Sequence, residues 1–222
     1  MNALNAVISN NDTTNWRRVS AVADLAEIYE PDVQVCSWQR SIDPQITAYL
    51  GSVAHLGTLQ LIETLGPSDR ARLDALPIGE GREQLVDDLA FLTEILCELL
   101  DCPVVGFRGT RVEHAMCPKW HIDRVPVRLL CTYEGPGTEW LEDQGVAHCE
   151  LSQVADGACQ RANVGEVVLL KGTLWQDNDD NGAIHRSPAI TQGSGPRTLV
   201  SLDPLWTEIP DNTNHRRETN RT

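Results

Sequence analysis

From Pro103 onward the sequence is cut into short β-type runs by Gly, Pro and Asp, and this punctuation limits the fold more than any other feature. The runs span 104–111, 120–124, 125–133, 147–151, 165–171 and 196–202. Six short strands in close succession predict an antiparallel sandwich or barrel with helices packed on its outside.

Ahead of Pro103 the apolar period is helical. Trp16 to Glu30 places Val19, Val22, Ala23, Ala26 and Ile28 roughly on one face. Asp43-Pro44 reads as an N-cap followed by a proline at the first helical position. The helix it opens is expected to run through Leu50, Leu56 and Leu61 to Gly66-Pro67. A third helix, Arg82 to Leu100, carries Leu85, Leu89, Leu92, Leu96 and Leu99, and Asp101-Cys102-Pro103 ends it. The expected organisation is one folded unit: a helical region over 1–102, a β region over 103–210, and a loose polar tail over 211–222.

Charge narrows the function. The 222 residues hold 32 acidic and 18 basic side chains, a formal net charge of -14, and such a field repels nucleic acid and anionic membrane alike. No stretch of about 18 apolar residues occurs, and the first eighteen residues lack a basic start followed by an apolar run. Seven Cys, an odd number, fit reduced thiols. A soluble cytoplasmic protein with no membrane partner is expected.

One window runs against the general charge. Residues 101–130 hold five basic and three acidic side chains. Within it stands Cys117-Pro118-Lys119-Trp120-His121-Ile122-Asp123. On a strand, His121 and Asp123 project from one face. Downstream, the run 165–171 closes on Gly172, a polar loop follows, and then comes Ile184-His185-Arg186-Ser187-Pro188. Arg197 stands twelve residues after His185, near the start of the last run.

Two His and one carboxylate on one face of a metal leave the opposite positions open, as ferrous chemistry with a cosubstrate requires. A guanidinium one strand away can hold a carboxylate bidentately. Arg186 is an alternative for that role, although adjacent strand residues face opposite ways. Cys117, four residues before His121, has a spacing compatible with zinc; otherwise it is a free thiol in a turn. Trp120 neighbours a ligand and is a candidate pocket-lining residue. Asp177 to Gly182 matches half of a calcium loop, but its twelfth position is Pro188, so it reads as a solvated loop at the mouth of the site. No G-x-S-x-G, P-loop or G-x-G-x-x-G is present.

The order strand with H-x-D, strand, strand with Gly, loop with His, strand with Arg resembles that of the iron(II)/2-oxoglutarate-dependent oxygenases over roughly residues 103–206. That resemblance implies a double-stranded β-helix (jelly-roll or cupin-like), so the fold class expected is α+β, with the helical layer packed on it. It implies His121, Asp123 and His185 as ligands of Fe(II), and Arg197 as the anchor of 2-oxoglutarate. Tyr133 or Thr132 would add a second cosubstrate contact. Many members carry Ser two residues after that arginine, where this chain has Leu199.

The phrases CPKWHIDRVPVRLLCTYEGPGTEWL and GAIHRSP resemble signatures of the bacterial domain of unknown function 1826 family, over nearly the whole chain. That second resemblance implies proximity to zinc-responsive genes and a metallochaperone partner, and so brings in zinc as a competing metal. The expected function is a non-haem oxygenase that hydroxylates a small-molecule or protein substrate. The alternative is a non-catalytic zinc-binding or zinc-homeostasis protein, with Cys117 as fourth ligand.

Overall fold

A computed structural model describes residues 14–56, 59–142, 159–178, 181–190 and 195–206. The expected strand over 147–151 and the tail over 211–222 lie outside the described residues.

Two α-helices form as their sequences dictate. α1 (Pro44–Ser52) starts where the Asp43 carboxylate accepts the Gln45 N–H at 2.8 Å. α2 (Arg82–Leu100) buries Leu85, Val86, Leu89, Leu92, Leu96 and Leu100 along one stripe, and it stops at Asp101, whose φ of 48° is left-handed. No described helix is long and apolar enough to cross a membrane.

Ten strands complete the fold among the described residues. They are β1 (Trp16–Val19), β2 (Val35–Trp38), β3 (Leu59–Leu65), β4 (Val104–Val112) and β5 (Val127–Glu134). The remainder are β6 (Glu139–Leu141), β7 (Cys159–Arg161), β8 (Val167–Lys171), β9 (His185–Arg186) and β10 (Arg197–Leu205). Seven of them make the major sheet, in the order β1-β2-β8-β5-β10-β4-β3, antiparallel except for the β1–β2 pair. The minor sheet is β7-β6-β9.

The pleat sorts the core into two layers. Leu129, Cys131 and Tyr133 of β5, with Val200 and Leu202 of β10, join the cluster that holds α1 and α2. Their strand neighbours Leu130 and Leu199 face the other way and pack with Val168, Leu170 and Trp140 between the two sheets. Strands covered on both faces lose their alternation, which is why β8 reads as an unbroken apolar run.

The expected N-terminal helical layer is corrected by this arrangement. Trp16–Glu30 is not an α-helix: its first residues form β1, and Val22–Tyr29 is a 3-10 segment. The backbone of 16–19 instead pairs with β2, at one end of the major sheet. The helix opened by Asp43 ends at Ser52, and Leu61 and Leu65 belong to β3, which pairs with β4 at the other end. A spacing of four fits one helical turn and two strand repeats equally well, so the leucines alone do not decide. The residues before 102 therefore supply three strands as well as two helices.

The segment 120–124 is also not a continuous strand. His121 makes a single bridge to His185, and the chain then loops against Gly172. The Gly172 N–H donates to the Pro126 carbonyl at 2.9 Å, Thr173 N–H to Asp123 at 3.0 Å, and Leu174 N–H to Val125 at 3.2 Å. A Cβ on Gly172 would stand 2.1 Å from the Val125 carbonyl oxygen and 2.6 Å from that of Asp123. Both contacts are backbone, so neither can rotate away. Gly172→Ala should therefore lower the melting temperature and weaken divalent-metal binding together. Gly51→Ala, whose Cβ meets nothing within 4 Å in α1, should leave both intact or raise stability by about 0.5–1 kcal/mol. Thermal melts with and without metal distinguish the two.

Candidate metal centre

Backbone pairing brings the two histidines together. His121 N–H donates to the His185 carbonyl and His185 N–H to that of His121, each at 3.0 Å. Residues exchanging both bonds project side chains to one side of the ladder. β9 is held on its other edge by β6, with His185 opposite Trp140.

Each ring is oriented by its own chain. His121 Nδ1 lies 2.9 Å from the Lys119 carbonyl oxygen, and His185 Nδ1 lies 2.9 Å from that of Ala183. A carbonyl only accepts, so both Nδ1 atoms carry the proton and both Nε2 atoms present lone pairs. Those lone pairs face Asp123: His121 Nε2 is 3.6 Å from Oδ1, and His185 Nε2 is 3.4 Å from Oδ2. Two lone pairs turned on a carboxylate repel it unless a proton or a cation sits between them. Ligand atoms of all three residues lie within 4.8 Å of one another, a spacing that one metal ion fits. The donor set of two imidazoles and a carboxylate suits iron or zinc.

Arg128, on β5, was not singled out in the sequence. It donates to Asp123 Oδ2 at 2.6 Å and forks onto both oxygens of Asp203 at 2.7 Å each. It thereby fixes one carboxylate oxygen of Asp123 and leaves Oδ1 on the His121 side. Burial opposes ionisation of Asp123. Where a proton sits between His185 and Asp123, that hydrogen bond and the charges of His185, Arg128 and His121 outweigh burial and hold the Asp123 pKa at about 2. Burial and then the neighbouring His185 push the His121 pKa down.

The three residues open onto a cleft of about 600 Å³ that also holds Cys117, Arg186, Arg197 and Arg128. Arg197 is only 2% exposed. Its Nη2 donates to Thr138 Oγ1 at 2.8 Å and its Nη1 to Ser187 Oγ at 3.2 Å, while Nε is buried with no partner. No described carboxylate lies within ion-pair distance of it. Burial brings its pKa down to about 10, so it stays cationic at neutral pH. The hydroxyls that flank it come from Thr138 and Ser187, across the cleft, rather than from the position of Leu199.

Other candidates sit differently. Tyr133 is corrected: it lies on the opposite face of β5, buried toward the helices, where its hydroxyl donates to Asp88, itself paired with Arg40. Thr132 shares the sheet face of Arg128 and Leu130 by alternation, yet it does not line the cleft. Trp120 likewise does not line it and packs with Leu141 and Ile184, under the Arg186 guanidinium at 4.2 Å. Arg186 does reach the cleft, and its Nε pairs with Glu139 at 2.8 Å. Cys117 is an exposed thiol lining the cleft, outside the three-residue ligand cluster. The loop at 177–178 is not at the mouth of this cleft: Asn178 is buried against Gln34, with bonds of 3.1 and 2.9 Å.

Known structures share this architecture. The dioxygenase for auxin oxidation 1 from Arabidopsis thaliana, solved as its 2-oxoglutarate complex, aligns with a TM-score of 0.53 at 11% identity. The alignment covers 88% of this chain and 93% of that one. A C-terminally truncated protein of Neurospora crassa, solved in its apo form, aligns with a TM-score of 0.50 at 10% identity, over 82% and 86% of the two chains. The chain thus shares its fold with these two proteins, and its own cleft holds a His-Asp-His cluster. No curated protein matches the chain in sequence. Residues 20–203 match the family described as Protein of unknown function (DUF1826), and the chain belongs to that family.

Asp123 gives this centre a pH signature in the metal-free protein. Its folded pKa lies below the ordinary value of 3.8, so its contribution to stability is present above 3.8 and is lost as the pH falls through about 2. Denaturant unfolding at stepped pH should show the wild type losing stability across that window more steeply than Asp123→Asn. Parallel curves would contradict the assignment.

Proposed function

We propose that this chain is a non-haem Fe(II), 2-oxoglutarate-dependent oxygenase that hydroxylates a C–H bond of its substrate. The observation that carries the reading is the pairing, in one cleft, of an open His121–Asp123–His185 face with a buried Arg197 that has no carboxylate of its own. When bound, iron and 2-oxoglutarate supply the oxidising chemistry. The protein's part is placement. His121 and His185 offer Nε2, Asp123 offers Oδ1, and Arg128 keeps that carboxylate ionised and turned. Arg197, with Thr138 and Ser187 behind it, takes the far carboxylate of the cosubstrate; desolvation around it strengthens that pairing. Leu130 and Leu199 form an apolar part of the cleft wall.

The test is anaerobic. Addition of Fe(II) and then 2-oxoglutarate should produce the visible charge-transfer band of the chelated cosubstrate. His121→Ala and His185→Ala should lose bound metal, and Arg197→Gln should weaken 2-oxoglutarate by about 10- to 100-fold while retaining the metal. No band from intact protein, with stoichiometric zinc on isolation, overturns the reading. Cys117 separates the alternatives: Cys117→Ser should leave metal affinity nearly unchanged, and a loss of about tenfold or more would make the centre a zinc site.

A further inference from the structure

The cleft's charges are uneven in a way the metal centre and the cosubstrate do not use up. Four guanidiniums line it, those of Arg108, Arg128, Arg186 and Arg197, against the single carboxylate of Asp123. This is the reverse of a chain whose net charge is -14. Arg128 is matched by Asp123 and Asp203, and Arg186 by Glu139. A divalent ion and a dicarboxylate then complete a neutral set with Asp123 and Arg197. Arg108 is left over, with no described hydrogen bond or ion pair.

Its surroundings are those of a ligand site. Arg108 lies on β4 directly opposite Ser201 of β10, and Thr110, two residues on and on the same face, lies opposite Leu199. Thr110 is 8% exposed, lines the cleft, and its hydroxyl is buried with no hydrogen-bond partner. A buried hydroxyl left unsatisfied is destabilising, and a ligand oxygen would satisfy it. Arg197 pairs with Val112 and Ser201 with Arg108, so the two unmatched arginines stand four positions apart along the strands, about 13 Å. That places them toward opposite ends of one cleft.

We propose that the substrate is a small anion, a carboxylate or a phosphate, whose charged group docks on Arg108, Thr110 and Ser201. Calling the ligand a substrate rests on the oxygenase reading; the anion site itself does not. Arg108 supplies the charge and the fork, and Thr110 and Ser201 supply hydroxyl donors. Cationic substrates are repelled by the same arrangement.

The test is calorimetric titration of the full chain, with zinc(II) and 2-oxoglutarate present, using inorganic phosphate and separately acetate. At least one of the two should bind at a single site, the preferred one identifying the headgroup. Arg108→Gln should weaken it by about tenfold or more, Arg108→Lys by less, and Thr110→Val should weaken it without loss of fold by circular dichroism. No binding of either anion, or equal binding by wild type and Arg108→Gln, overturns the proposal. Should 2-oxoglutarate fail to bind while phosphate or acetate still binds through Arg108, the oxygenase reading falls and the anion site stands.

Discussion

The reciprocal backbone bridge between His121 and His185 is the interaction on which the site depends. It joins two distant parts of the chain and sends both imidazoles to the same side of the ladder. Each ring is then hooked by its Nδ1 to the carbonyl two residues earlier, so the two halves repeat one local solution. Nothing in this pairing requires a metal. The donors converge because the backbone converges, and the energy of arranging them is spent in folding.

Electrostatics around the bridge is strongly local. A chain that is acidic throughout most of its length gathers four of its 18 basic side chains around one cleft, where burial and short distances amplify them. Arg128 links Asp123, in the loop after His121, to Asp203 of β10, coupling the site to the middle of the major sheet. Held by its fork on Asp203, its Nη1 gives the Asp123 carboxylate an orientation as well as a charge partner.

Much of this was legible in the sequence. The H-x-D, His and Arg order placed four residues that the fold does bring to one cleft, the Asp43 cap gave the start of α1 but not its end, and the leucine stripe gave α2 closely. The N-terminal strands were not legible, because Leu61 and Leu65 satisfy both periods and because β1 and β2 are only four residues long. β6 and β9, at three and two residues, are below the length at which alternation can be read. Arg128, Thr138 and Ser187 were missed for a different reason. Their role depends on strand register, which no single stretch encodes, although Ser187 sits two residues from His185 and Arg128 lies in the cationic window.

The minor sheet is small for the task it performs. Among the described residues its strands are three, three and two residues long, and the bridge to His121 adds a single pair. Where backbone pairing is this sparse, a strand that opens locally does so without global unfolding, and the burial of Ala183, Ile184 and His185 opposes that opening. An ion ligated from both sides of the bridge would close that opening by mass action. Amide exchange and proteolytic survival around residues 183–187 would then report occupancy directly, and the amount of intact protein in a cell would follow its metal supply rather than its synthesis alone.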